Sequence, residues 1–179
     1  HADSVIMSIA AGLTIARLAK HLPTAAKIIR VMPNTPSMVN EGMAAITVND
    51  AVTDAEAQAA LEVFESFGRA ELIEERLIDA VGGLSGSGPA YVYMFIEALA
   101  DGAVLEGMPR AKAYTFAAQT VLGAAKMVLE TGEHPGKLKD DVCSPGGTTI
   151  EAVRILENKG FRAAATEAVI ASTEKCKQL

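Results

Sequence analysis

Two threonines, Thr148 and Thr149, stand directly after Pro145, Gly146 and Gly147. The Pro-Gly-Gly triplet breaks regular structure, and Ile150, Val153, Ile155 and Leu156 then give a helix-like apolar spacing, so the threonines fall at or near a helix start. The first N–H groups of a helix have no intrahelical acceptor, and glycine lets an anion come up against them. A threonine hydroxyl there can cap the turn or donate outward. The arrangement suits a small carboxylate lying on the helix end, with one hydroxyl addressing the atom beside it. An ordinary Ser/Thr cap after a Pro-Gly-Gly turn is the plainer alternative, and residue chemistry by itself favours it.

Other chemistry-bearing residues point less far. Cys143 precedes the same helix start, where a thiolate is stabilised, but no base lies beside it; it reads as a small packed residue. Cys176 lies near the end of the chain and carries no functional expectation. Asp140 and Asp141 are adjacent and so point in different directions, which makes an acid pair a poor reading. His1, His21 and His134 are scattered, with no helical pair and no Cys/His cluster, so no metal site is expected. The glycine-rich run Gly82–Gly88 reads as an interhelical turn with Pro89 near the first helical position. It lacks the Lys-Ser/Thr of a phosphate loop.

The elements that position these residues change character along the chain. Ser4–Ile9 is a strand-length apolar run ending in Ala10-Ala11-Gly12, Leu13–Leu22 looks helical, and Lys27–Met32 is a second strand running into Pro33-Asn34-Thr35-Pro36. Such a βαβ unit binds ligands outside the carboxyl ends of its strands, although a tight turn is an equally common reason for either exit. Ala44–Val48 reads as a third strand and Arg69–Ile73 as a last one. Between them Thr53 and Glu56 form a capping-box pattern, Leu61, Phe64 and Phe67 supply an apolar face, and Gly68 reads as the C′ residue. Residues 1–75 thus read as the closing part of a doubly wound α/β domain, with no Gly-x-Gly-x-x-Gly and no acidic strand end to take a ribose.

From residue 76 to 179 the pattern is nearly pure helix. Pro89–Leu105 is apolar around most of its surface, and Pro109–Leu129 mixes large residues with Ala117, Ala118, Gly123, Ala124 and Ala125. Two-faced helices in a short chain call for a second subunit or another segment to cover them, so a dimer with interleaved helices is expected. Lys137–Asp141 is a short helical turn, Asn158-Lys159-Gly160 a helix stop, and Phe161–Lys177 a terminal helix.

Composition excludes several classes. The net charge of −6 argues against nucleic acid as a partner, and no apolar run reaches membrane-span length. The start has neither a basic region nor a cleavage pattern, so no signal peptide is expected. Two cysteines without framework spacing fit a reducing, cytoplasmic setting.

The stretch Asp141–Ala152, with Gly83–Tyr91, Val31–Pro36 and Ser8–Gly12, resembles the pyrroline-5-carboxylate reductase family in order and spacing across the whole chain. The resemblance implies a two-domain oxidoreductase that reduces the C=N bond of 1-pyrroline-5-carboxylate to L-proline. It implies a Rossmann domain for NADPH, with NADH in some members, and an all-helical domain forming an intertwined homodimer, often assembled into decamers. The implied substrate-binding set is Val142, Ser144, Gly146, Gly147, Thr148 and Thr149, with Thr149 hydrogen-bonding the ring nitrogen as the catalytic group. Ala10, Ala11, Met32, Pro33 and Asn34 are implied near the nicotinamide. Family members begin with a strand and a glycine-rich turn that this chain lacks, so it reads as a fragment missing the first half of the Rossmann domain. A polypeptide of these residues alone is expected to be inactive. Two further readings are a helical oligomerisation module without chemistry, which the two hydroxyl-bearing glycine turns disfavour, and a related imine or β-hydroxyacid reductase. The latter uses a motif lysine that neither Lys112 nor Lys126 supplies.

Overall fold

The computed structural model describes residues 4–179, so His1 lies outside it. The chain divides into two compact units: the described residues up to Pro89 with Thr166–Leu179, and Ala90–Ala165.

The first unit is built on a four-stranded sheet in the order β1 (Val5–Ser8), β2 (Lys27–Met32), β3 (Gly42–Val48) and β4 (Gly68–Leu72). β1 and β2 pair in parallel, Val5 opposite Lys27, as a βαβ unit requires. β3 runs antiparallel to β2, Met32 opposite Ala45, and β4 parallel to β3. The reversal has a simple cause. The link from Pro33 to Glu41 holds only a short 3₁₀ segment, Thr35–Val39, and a parallel crossover needs about a dozen residues or more. β2 is buried from Ile28 to Val31, the pattern of a strand covered on both faces. Ile29, Val31, Ala44 and Ile46 pack with Ala60 and Phe64 of helix α2 (Asp54–Glu65). The capping box at its start forms, Thr53 accepting from the Glu56 N–H and the Glu56 carboxylate accepting from the Thr53 N–H.

Three expectations need correction. Helix α1 covers only Ile15–Ala19 within the expected Leu13–Leu22, capped by Thr14 and closed by a turn from His21 N–H to Leu18 O; Pro23 disfavours helical geometry in the residue before it. Gly68 is no helix cap but the first residue of β4. At φ 157° it lies against Gly42, and a Cβ there would overlap the Gly42 backbone. The run Gly82–Gly86 is not a turn but a π-helical segment continuing α3 (Ile78–Val81).

α4 spans Gly88–Leu105 and α5 Arg110–Thr131. In the second unit they meet through Ala100, Ala113 and Ala117, whose small side chains permit close approach of the two backbones. Asp101 and Arg110 form an ion pair across the α4–α5 connection, with the Arg110 guanidinium over the Tyr114 ring. α6 (Pro135–Asp141) and α7 (Thr148–Asn158) follow; α8 is Phe161–Cys176. Within this unit Tyr93, Met94, Leu105, Phe116 and Leu129 remain exposed. Large apolar side chains exposed together on a folded unit mark an interaction surface.

Candidate functional site

In the second unit the start of α7 is organised by its glycines. Gly146 takes φ 68°, a left-handed conformation that favours glycine. Gly147 is the N-cap, and its own N–H donates to Ser144 O at 3.0 Å. Thr148 is therefore the first helical residue and Thr149 the second, so neither hydroxyl caps the helix; the plainer reading of an ordinary threonine cap does not hold. Glu151 N–H closes the first turn on Gly147 O at 3.4 Å. The N–H groups of Thr148, Thr149 and Ile150 thus have no intrahelical acceptor. Among the described residues the Thr149 hydroxyl makes no hydrogen bond, and its side chain is half-buried. Val142, Ser144 and Gly146 are exposed. Glu151 in the first turn is held by Arg154, whose hydrogen bond keeps the carboxyl below its usual range. Anions are favoured at such a helix end by the aligned peptide dipoles.

In the first unit a cleft of about 530 Å³ opens at the carboxyl ends of β1 and β2. Ala11, Met32, Pro33 and Asn34 line it with Thr35, Met38, Gly82, Gly86, Ser87 and Cys176. Ala10 lies beside it, outside the lining set. The Met32 methyl sits over the π segment: a Cβ on Gly86 would come within 2.9 Å of it, and one on Gly82 within 3.4 Å. Glycine at both positions leaves room for the Met32 methyl and, at Gly82, for the Cys176 Sγ to pack against the segment.

Sequence reasoning missed two parts of this cleft. Cys176, assigned no role, lines it, because α8 lays its end against Gly82 and Gly83. Ser87, whose hydroxyl lies 2.8 Å from that of Ser172, lines it too. Outside the cleft, sequence reasoning also missed Arg30, buried on β2, whose guanidinium donates to Glu75 at 3.1 Å; Glu75 also accepts the Ile15 N–H at 2.7 Å. The charge of Arg30 inside an apolar strand was a visible signal; the placement of Cys176 depends on a long-range helix contact and was not. Among the described residues no group of three or more His, Cys, Asp or Glu could hold a metal ion, and no helix is long and apolar enough to cross a membrane.

A Rossmann-type α/β sheet followed in the chain by a helical domain with uncovered apolar faces defines a class, the two-domain dinucleotide-fold proteins that pair through their helices. Residues 75–179 match the family model described as pyrroline-5-carboxylate reductase dimerisation. The chain belongs to the pyrroline-5-carboxylate reductase family. It is 62% identical to the Escherichia coli (strain K12) pyrroline-5-carboxylate reductase over 177 residues, which is 99% of this chain and 66% of that relative. The chain therefore spans just under two thirds of the length of that relative. A pyrroline-5-carboxylate reductase structure from Coxiella burnetii superposes with a TM-score of 0.93 at 36% identity, covering 97% of this chain and 65% of that one. The Plasmodium falciparum pyrroline carboxylate reductase, solved with NADP bound, gives 0.89 at 36% identity, covering 97% and 70%.

Proposed function

We propose that the chain carries the imine-reducing centre of a pyrroline-5-carboxylate reductase, which converts 1-pyrroline-5-carboxylate to L-proline with NADPH, or with NADH, as the hydride donor. The reading rests above all on identity of 62% across nearly the whole chain. The open, glycine-flanked start of α7 supports it independently. The substrate is a cyclic imine bearing a carboxylate, and the amides of Gly146–Thr149, with Val142 and Ser144 alongside, offer the anion a binding surface. The Thr149 hydroxyl is then assigned a hydrogen bond to the ring nitrogen beside the carboxylate-bearing carbon. Reduction at carbon leaves charge developing on nitrogen, and a hydroxyl donating to that atom stabilises it. A threonine is a weak acid, so Thr149 acts first as orienter and donor, with the proton delivered through water.

The cleft at Ala11, Met32, Pro33 and Asn34, with Ala10 at its edge, is assigned to the nicotinamide end of the cofactor. Bound NADPH supplies the hydride; the residues of the cleft hold and orient it and exclude water, and much of the rate comes from that alignment. The division of labour is a dinucleotide domain over residues 1–75 and a helical domain over 76–179. The exposed faces of α4 and α5 pair with a second copy to give an intertwined homodimer, which assembles further into a decamer in the cytoplasm.

The test is NADPH oxidation by the intact enzyme with 1-pyrroline-5-carboxylate, and thermal stabilisation by proline. Thr149→Ala should lower kcat roughly a hundredfold, and Gly147→Val should abolish the proline shift. An intact dimer that proline and its five-membered carboxylate analogues leave unshifted would sink the carboxylate assignment.

A further inference from the structure

Asn34 was expected to touch the cofactor, yet its side-chain amide is already engaged. Its Nδ2 donates to the Ser85 carbonyl at 3.1 Å, and its Oδ1 accepts the Met43 N–H at 2.9 Å. One amide thus joins the loop after β2, the start of β3 and the π segment before α4. Asn34 is also the N-cap of the 3₁₀ segment, but makes no side-chain capping bond; its reach is across the cleft and not along its own turn.

We infer that Asn34 is a positioning residue that sets the width of the cofactor cleft by fixing the Met32–Asn34 loop to the π segment Gly82–Gly86. It rests on the reading that this cleft holds the nicotinamide end of the cofactor. Two facts carry it. The Asn34–Ser85 bond and the seat of Met32 on Gly86 act between the same two segments, so both control one spacing. And π-helical segments are rare and occur mostly at functional sites; here the segment supplies a wall of the cleft, and its Ser85 carbonyl is held from outside by Asn34. Only an amide offers a donor and an acceptor in this geometry. Aspartate would set a second acceptor against the Ser85 oxygen, and alanine would leave the Met43 N–H without its partner.

The experiment is a double-mutant cycle in the intact enzyme. It uses Asn34→Ala, Gly86→Ala and the pair, read as KM for NADPH, KM for the imine and kcat well below the melting temperature. Gly86→Ala displaces only the flexible end of Met32, so the variant folds. Each single change is expected to raise KM for NADPH about tenfold with KM for the imine unmoved, and the pair to be little worse than either, because residues acting on one spacing are non-additive. Asn34→Asp should be impaired at neutral pH and recover in acid relative to wild type, when the introduced carboxyl is protonated and can donate again to Ser85. Multiplicative losses in the pair would make Asn34 a direct cofactor contact. A lower melting temperature with unchanged KM values would make it merely structural; either result overturns the inference. Wild-type enzyme that fails to bind NADPH overturns the functional reading and this one with it. Wild-type binding with variants indistinguishable from it overturns this one alone.

Discussion

Gly83 and Val169 approach so closely that a Cβ on the glycine would stand 2.7 Å from the Val169 carbonyl oxygen and 2.9 Å from Thr173 N, and would overlap the Thr173 hydroxyl. The terminal helix α8 is thereby laid directly on the π segment, and this contact brings Cys176 to the cleft. Backbone atoms cannot swing aside as side chains can. Gly83→Ala is therefore expected to destabilise by about 1–3 kcal/mol, measured by urea denaturation.

The carboxyl of Glu56 is lowered from 4.5 to about 2, first by its hydrogen bond with Lys27 at 2.6 Å and then by those from Thr53. A depressed carboxyl stabilises the fold fully above its unfolded value and ceases to do so as pH falls through its folded one. The stability gap between wild type and Glu56→Gln should be level above about pH 5 and close between pH 4.5 and 2. A gap that widens in acid would contradict the assignment.

Elements fixed by neighbours in sequence were legible before any coordinates. β2 occupies Lys27–Met32 as read, the Thr53–Glu56 capping box forms, and the helix after Gly147 starts where the glycines end. What the sequence concealed depends on long-range packing. The direction of β3 follows from the length of the loop before it, which periodicity does not report. The π geometry of Gly82–Gly86 arises where Met32 and α8 press on glycines from two sides, and glycine runs look like turns when their neighbours are unknown. At the candidate site the helix start was readable, but the role of Asn34 was not, because its partners lie at positions 43 and 85.

Core and surface positions of equal apolarity should respond differently. Ile46 is fully buried between β2, β4 and α2, whereas Val39 is 70% exposed. Ile46→Ala should cost about 2–5 kcal/mol, and Val39→Ala about 0.5 kcal/mol or less. Thermal melts of the two variants side by side check the pair; comparable losses would mean that Val39 is covered in the assembled protein.

Gly146 and Gly147 are adjacent, yet alanine should fail at each for a different reason. At Gly146 a Cβ meets nothing within 4 Å, but φ is 68°, and an L-residue in that region costs about 1–2 kcal/mol. At Gly147 φ is −78°, which any residue adopts, but a Cβ would overlap the Ser144 hydroxyl. Removing that hydroxyl leaves Ser144 Cβ at 3.6 Å, an ordinary contact, with only the Ser144 carbonyl at 3.1 Å remaining close. Ser144→Ala should therefore relieve much of the loss caused by Gly147→Ala and do nothing for Gly146→Ala. Denaturation of the four variants tests the steric part. Proline binding tests the rest: because Gly146→Ala strains the turn without filling the space before the Thr148–Ile150 amides, affinity should survive in whatever fraction stays folded. If Gly147→Ala with Ser144→Ala regains stability but not proline binding, the Ser144 hydroxyl itself serves the carboxylate.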